Sequence, residues 1–417
     1  MTSRGVVRVP GDKSISHRAL MLSAVASGES RISGILAAKD VQSTASVLRQ
    51  LGVSVPDLSD DIRVEGLGLG GLKAPGSPVD AGNSGTTARL MSGILAAHTF
   101  TSRIVGDASL SARPMKRVAE PLTAMGARFE FAAGDGLPMT VHGGTLSGIS
   151  WNTRSASAQV KSAILLAGLV ARVPVSVREA RKSRDHTERL LASLGAPVTI
   201  DGLDVSLAPV DLLAPLELSV PGDPSSAAYI VAAAILGKNE VEVPDVCLNP
   251  TRIGFLETLK RMGADIEWTE AGATAGDSIG SIRAGPGILH AVVVDPSTLA
   301  SMIDELPLLA CIAAGAGIAL EVRNAAELRV KESDRIHLVV SNLRAIGAEA
   351  RELPDGFVIG GGGGRLAGDV VTNGDHRIAM SFGVLSHVRG NDIRIDDRDC
   401  VAVSYPRFWA DLDSLRR

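Results

Sequence analysis

Five segments of this chain end a helix in the same way. Leu48-Arg-Gln-Leu-Gly-Val, Leu122-Thr-Ala-Met-Gly-Ala, Leu191-Ala-Ser-Leu-Gly-Ala, Leu259-Lys-Arg-Met-Gly-Ala and Leu343-Arg-Ala-Ile-Gly-Ala each close an amphipathic stretch with Gly and then pass into strand-like residues. Gly suits that place because the residue after a helix end takes a left-handed conformation, which a Cβ penalises. The segments recur every 68 to 84 residues in a chain of 417 residues. One sixth of that length is about 70 residues, so the spacing predicts six helix–Gly–strand units, three in each half, with a degenerate sixth at the C-terminal end.

A second repeat marks where the halves meet. Val-Pro-Gly-Asp occurs at Val9–Asp12 and again at Val220–Asp223, about half the chain apart. Each copy follows a short apolar run and leads into an Ala/Leu-rich helical run. The first continues Lys13-Ser14-Ile15-Ser16-His17-Arg18, whereas the second continues Pro224-Ser225-Ser226-Ala227-Ala228 without a charge. The expected organisation is therefore a three-repeat α/β domain over 13–222. A similar second domain is built from 1–12 plus 223–417, and a site in the cleft between them is lined by charged loops.

Composition narrows the classes. Apolar residues make up 45% of the chain and aromatic residues only 3%. The cores must then be built from Ala, Val, Leu and Ile, and few rings remain to stack on single-stranded bases. A net charge of −4 argues against a nucleic-acid binder. Cys247, Cys311 and Cys400 stand far apart with no CxxC pair, which reads as a reduced, cytoplasmic protein without a thiolate metal site. No leader peptide is expected ahead of Val9. The apolar run Leu306–Leu320 contains Pro307, Gly315 and Gly317 and is short for a membrane span, so a buried helix is expected.

Several polar segments sit at predicted helix starts, where unpaired N–H groups and the helix dipole favour anions. They are Lys13–Arg18; Gly82-Asn83-Ser84-Gly85; Ser155-Ala-Ser157-Ala158-Gln159; Ser183-Arg184-Asp185-His186; and Asp375-His376-Arg377. Asn83 or Ser84 is a suitable cap, and Gly85 admits close backbone approach. Arg113 precedes Pro114, which biases it towards extended backbone and an outward side chain. Asp304-Glu305 stand at the mouth of the apolar 306–320 run, where carboxylates are costly unless they cap or react. Read as a helix, Lys331 and Arg335 are four residues apart on one face and would chelate an anion.

Together, PGDKSISHRAL (10–20), AGNSGTTARLM (81–91), ARPMKRV (112–118), SASAQVKSAIL (155–165), RDHTERLL (184–191), LRVKESDRI (328–336) and DHRIAM (375–380) run in one order along the chain. In that order they resemble the 5-enolpyruvylshikimate-3-phosphate synthase family of enolpyruvyl transferases (3-phosphoshikimate 1-carboxyvinyltransferases). The resemblance implies an α/β fold of two domains, each of three βαβαββ units with helices inside, an inside-out α/β barrel. It implies transfer of the enolpyruvyl group of phosphoenolpyruvate to the 5-hydroxyl of shikimate 3-phosphate in the shikimate pathway. The transfer proceeds by addition and elimination through a tetrahedral ketal, with no metal or organic cofactor. The implied partners are these two small molecules, not nucleic acid or membrane, and the implied state is a monomer.

By that resemblance, shikimate 3-phosphate falls to Lys13, Ser14, Arg18, Ser155, Ser157, Ala158, Gln159, Arg184, Asp304 and Lys331. Phosphoenolpyruvate falls to Lys13, Gly85, Arg113, Gln159, Lys331, Arg335, His376 and Arg377. The catalytic set is Lys13, Asp304 as base for the 5-hydroxyl, and Glu332 for proton transfer at the methylene carbon. Two substrates that each carry phosphate and carboxylate explain a local concentration of cations in an acidic chain. The chain departs from the family pattern at Val403, where many members have Lys, so that phosphoenolpyruvate contact is either missing or supplied elsewhere, with Arg407 as a candidate. Gly85 is the position where some members carry Ala and resist glyphosate, so glyphosate sensitivity is expected. The competing readings are an enolpyruvyl transferase acting on UDP-N-acetylglucosamine and a non-catalytic phosphate-ligand binding protein.

Overall fold

The computed structural model describes residues 5–415 and divides into two compact units. One unit comprises Gly11–Val220 with the short segment Ala273–Asp277; the other comprises residues 5–10, 221–272 and 278–415. The chain changes unit two residues earlier at each Val-Pro-Gly-Asp copy than the sequence suggested. The Ala273–Asp277 turn of a long hairpin, invisible in the pattern, packs with the first unit.

In the first unit the helices Lys13–Val25, Gly85–Ala96 and Ala158–Ala171 are buried along almost their whole length. The third is apolar nearly all round, as suits a helix enclosed on every side, whereas the first two also bury polar side chains such as His17, Arg18, Thr87 and Arg89. Three sheets cover them. The strands Thr101–Val105 and Val175–Arg178 each pair in parallel with the strand before them (Val79–Asp80, Ile149–Asn152) and antiparallel with a later hairpin strand. That order, one parallel neighbour and then an antiparallel pair, is the βαβαββ unit. Burial alternates along the sheets, as in Ser27–Ser33 and Asp61–Leu67, so one face meets the helices and the other meets water.

The second unit repeats the plan with Pro224–Gly237, Leu306–Ala316 and His376–Ser386 inside. The 306–316 run is thus a core helix, packed on its two companions. The last unit has its parallel pair, Ala367–Val370 with Asp392–Ile395, but no closing hairpin among the described residues, which is the degenerate sixth repeat.

All five repeat glycines adopt positive φ: Gly52 at 90°, Gly126 at 119°, Gly195 at 78°, Gly263 at 92° and Gly347 at 94°. In each, the next N–H returns to the carbonyl of the Leu that opens the segment: Val53 to Leu48 (3.1 Å), Ala127 to Leu122 (3.1 Å), Ala196 to Leu191 (3.0 Å), Ala264 to Leu259 (3.0 Å) and Ala348 to Leu343 (2.8 Å). This is the bond that stops a helix and starts a strand.

The strand ahead of each Val-Pro-Gly-Asp copy pairs with a strand far from it along the chain. Gly5–Val6 pairs in parallel with Val241–Cys247 in the second unit, and Glu217–Ser219 pairs in parallel with Ser27–Ser33 in the first. Only one of these strands crosses over: Gly5–Val6 is separated from the rest of its unit by residues 11–220, whereas Glu217–Ser219 belongs to the same unit as its partner.

Candidate active site

Within the first unit, three buried helices present their N-termini together. Asp12 caps the first by accepting from Ile15 N (2.8 Å), Ser84 caps the second through Thr87 N (3.2 Å), and Ser157 caps the third through Val160 N (3.4 Å). Lys13 stands at the first of these ends, and its Nζ donates to Asp40 Oδ2 (2.9 Å), which fixes the ammonium. Ser14 lends its carbonyl to Arg18 Nη1 (3.0 Å). Arg18 is buried and also donates to Thr187 Oγ1 (2.6 Å) and Ser162 Oγ (2.8 Å). It therefore joins the first helix to the third and to His186–Ser193.

Gly85 opens the second helix, and a Cβ there would lie 3.0 Å from Arg89 Nη1 and 3.4 Å from Arg113 Nη1. Ser84, rather than Asn83, is the cap. Asn83 Oδ1 accepts from Arg113 Nη2 (2.6 Å), and Ser109 Oγ accepts from the same nitrogen (3.2 Å). The expectation that Arg113 reaches outward is corrected: it is only 6% exposed, because these acceptors draw it in. Gln159 and Ala158 lie half-buried in the first turn of the third helix, whereas Ser155 is exposed ahead of it.

The Arg184 loop is anchored on both sides. Ser183 Oγ donates to Glu179, and the fully buried Lys161 Nζ lies 2.7 Å from Glu179 and 2.6 Å from Glu188. Burial raises the Glu188 pKa although Lys161 opposes it. On the other side, His186 Nδ1 lies 2.9 Å from Asp277 Oδ2, and Arg189 Nη1 donates to Gly276 O (2.7 Å).

His17 lies beneath these ends with no exposure, its Nδ1 2.7 Å from Thr44 Oγ1. Thr44 continues to Thr87 (2.7 Å) and Thr87 to Ser84 (2.8 Å), a polar thread through three helices. Burial first, then Lys13 and Arg18, hold the His17 pKa well below 6.5, so the ring is neutral. Below a pH of about 6.5 the unfolded chain takes up a proton that the folded chain refuses. Stability is then lost as pH falls, by about 1.4 kcal/mol per pH unit, until the folded pKa is reached. Urea midpoints at acid and neutral pH should separate less for His17→Asn than for the parent; equal acid losses would remove His17 as the cause.

Within the second unit, one buried cation organises three carboxylates. Arg335, 1% exposed, donates through Nε to Asp375 Oδ2 (2.9 Å), through Nη1 to Asp304 Oδ1 (3.2 Å), and through Nη2 to Glu332 Oε2 (2.6 Å). Burial disfavours its charge, but Asp375, Glu332 and Asp304 outweigh that and raise its pKa. Asp375 also caps His376–Ser386 by accepting from Arg377 N (2.9 Å) and accepts from Ser333 Oγ (2.8 Å). His376 is buried at the first position of that helix.

Lys331 Nζ reaches Asp304 Oδ1 at 3.5 Å. The expected helical pairing of Lys331 with Arg335 is corrected. A 3-10 turn ends at Val330, Lys331 is extended, and the helix starts only at Arg335, capped by Asp334 through His337 N (3.0 Å). The two cations flank Asp304 from different segments instead of sharing a helix face.

Arg377 Nη1 lies 3.7 Å from Glu305 Oε1, and Glu305 accepts from Ser225 Oγ. Burial opposes the Arg377 charge, while Tyr229, Asp304, Glu305 and Asp223 raise its pKa well above the ordinary value. The Tyr229 hydroxyl is pushed up to about 12 by burial, against the pull of Arg377. The second Val-Pro-Gly-Asp copy is not charge-free in three dimensions: Asp223 accepts from Arg252 Nη2 (3.0 Å), a residue 29 positions on. Val403 ends a 3-10 turn with no polar atom to offer, and the exposed Arg407 donates to Asp411 (3.0 Å).

Asp40, Arg89, Lys161 and Arg252 were not singled out by the sequence. A signal existed for two of them: Arg89 and Lys161 are lone charges inside helices that otherwise carry none.

The family profile described as EPSP synthase (3-phosphoshikimate 1-carboxyvinyltransferase) matches residues 2–412. A 3-phosphoshikimate 1-carboxyvinyltransferase of Sulfurihydrogenibium sp. (strain YO3AOP1) is 47% identical over 99% of this chain and 97% of its own. One of Geobacillus kaustophilus (strain HTA426) is 44% identical over 99% and 97%. The solved EPSP synthase of Acinetobacter baumannii superposes with a TM-score of 0.86 at 40% identity, covering 99% of this chain and 96% of that one. Agreement in sequence and fold along nearly the whole length, with the helix-end cations and paired acids in their expected segments, places the chain in the EPSP synthase (3-phosphoshikimate 1-carboxyvinyltransferase) family.

Proposed function

We infer that the chain transfers the enolpyruvyl group of phosphoenolpyruvate to the 5-hydroxyl of shikimate 3-phosphate and releases phosphate. The observation that carries this reading is the pair Asp304 and Glu332 on one buried guanidinium, with Lys331 beside them. A protein that only binds anions gains nothing from two acids at its cation centre. Proton transfer needs them.

Asp304 accepts the proton of the 5-hydroxyl as its oxygen bonds to the substituted carbon of phosphoenolpyruvate, while Glu332 delivers a proton to the methylene carbon. The resulting ketal then loses phosphate. The C–O bond breaks towards the phosphate, Lys13 balances the departing charge, and Glu332 takes back a methyl proton to restore the double bond. Ser14, Arg18, Ser155, Ser157, Ala158, Gln159 and Arg184 hold shikimate 3-phosphate, with Lys13, Asp304 and Lys331. Gly85, Arg113, Gln159, Lys331, Arg335, His376 and Arg377 hold phosphoenolpyruvate, with Lys13. Convergent capped helix ends support the anion-binding assignments. Arg335, spent on three acids here, exchanges one of them for a substrate anion in this scheme.

A monomer is proposed, since one chain carries both residue sets. Three buried cysteines outside any disulfide support a cytoplasmic setting. The test is phosphate release from phosphoenolpyruvate with shikimate 3-phosphate or UDP-N-acetylglucosamine as acceptor. Release with the first alone supports the reading; release with the second alone reassigns the acceptor; release with neither favours a binding protein. Glyphosate at millimolar concentration should suppress turnover, because Gly85 leaves open the space beside Arg89 and Arg113. Gly85→Ala should need more inhibitor, and undiminished turnover of the parent protein would refute the expectation.

A further inference from the structure

We propose that Arg89 is a positioning residue that locks the side-chain amide of Gln159, so that only N–H groups face the substrate. The proposal rests on the reading that Gln159 meets substrate. Arg89 lies one turn into Gly85–Ala96 and is 5% exposed. Its Nη1 donates to Gln159 Oε1 at 2.7 Å, across to the first turn of Ala158–Ala171, and its Nη2 donates to Pro114 O at 3.1 Å.

A guanidinium carries donors only and stays charged at any working pH. It therefore dictates which end of the amide turns towards it. A flipped Gln159 would set its NH2 against the guanidinium N–H groups and lose a charge-assisted bond. Gln159 Nε2 spends one proton on Thr86 Oγ1 at 3.1 Å. Thr86 and Arg89 are three residues apart on one helix, so a single rigid element grips both ends of the amide. An amide nitrogen has two protons, and the second is left to donate to a phosphate or carboxylate oxygen at the helix ends. The Pro114 bond ties the same guanidinium to the segment that carries Arg113. Arg89 thus sets the polarity of Gln159 and the spacing of its neighbours without needing to touch substrate.

The experiment is a double-mutant cycle on kcat/KM for both substrates, using the parent protein, Arg89→Met, Gln159→Ala and the double variant. Losing one oriented bond to an anion predicts a fall of roughly tenfold to a hundredfold for Arg89→Met. The same change should cost less than about threefold when Gln159 is already Ala. Arg89→Lys, still a pure donor, should recover part of the loss. Should Arg89→Met disturb folding, Gln159→Glu supplies the second arm. It keeps an acceptor for Arg89, and its ion pair preserves the fold by urea midpoint, yet it presents an oxygen where the N–H stood. Its kcat/KM should fall at least about a hundredfold. Equal losses from Arg89→Met in both backgrounds, or a Gln159→Glu protein as active as the parent, overturn the proposal. An inactive parent protein would instead sink the functional reading beneath it.

Discussion

Replacing Arg335 with Met is expected to destabilise the second unit by about 3–5 kcal/mol at neutral pH, because it strands carboxylates out of water. Asp375 has no exposure and loses its guanidinium, while Glu332 loses its bond to Nη2 and Asp304 keeps only Lys331 of the two cations described beside it. With its guanidinium gone, buried Asp375 carries an uncompensated charge, a cost that shrinks as acid neutralises carboxylates. The deficit relative to the parent protein should therefore narrow as the pH is lowered. Urea unfolding at pH 7 and pH 5 reads both quantities. A loss below about 1 kcal/mol, or one independent of pH, would mean that the acids are held by something other than Arg335.

Asp304→Asn is expected to lower kcat by about a hundredfold to ten-thousandfold, the usual worth of a positioned general base. The amide keeps an oxygen for Arg335 and Lys331, so the shape of the cluster survives while its ability to take a proton does not. Binding of shikimate 3-phosphate, followed by calorimetry, should weaken far less than turnover. A variant that turns over within about threefold of the parent excludes Asp304 as the base. One that loses binding and turnover together makes it a ligand holder.

Local grammar was the legible part of this protein. A helix that stops at Gly writes its stop within six residues, so five units could be counted from the sequence and each Gly took positive φ. Helix starts at Asp12, Ser84, Ser157 and Asp375 were legible for the same reason. Strands of two and three residues carry no period, so the pairing of Gly5–Val6 with Val241–Cys247 and of Glu217–Ser219 with Ser27–Ser33 left no trace, although the Val-Pro-Gly-Asp repeat had assigned 1–12 to the second domain. Nor did the ion pairs that set the acids: Arg335 with Asp304 and Asp375, or Lys161 with Glu179 and Glu188. Those depend on which helix ends meet, and no window of sequence contains that. The Lys331–Arg335 segment shows the opposite error. Its charges looked helical by spacing, but Ser333 and Asp334 took up bonds to Asp375 and to the start of the next helix, and the turn broke there.

The pairing of Gly5–Val6 also sets an order of events during synthesis. Residues 11–220 contain every sheet strand of the first unit, so most of it can fold as it leaves the ribosome. Gly5–Val6, though made first, has no partner until Val241–Cys247 emerges 235 residues later, roughly 10–50 s at about 5–20 residues per second. For that interval the earliest segment is a loose end trailing from a nearly finished domain, and it becomes the closing strand of the domain made last. A fusion or trimming at the N-terminus would therefore be felt in the half of the molecule farthest from it along the chain.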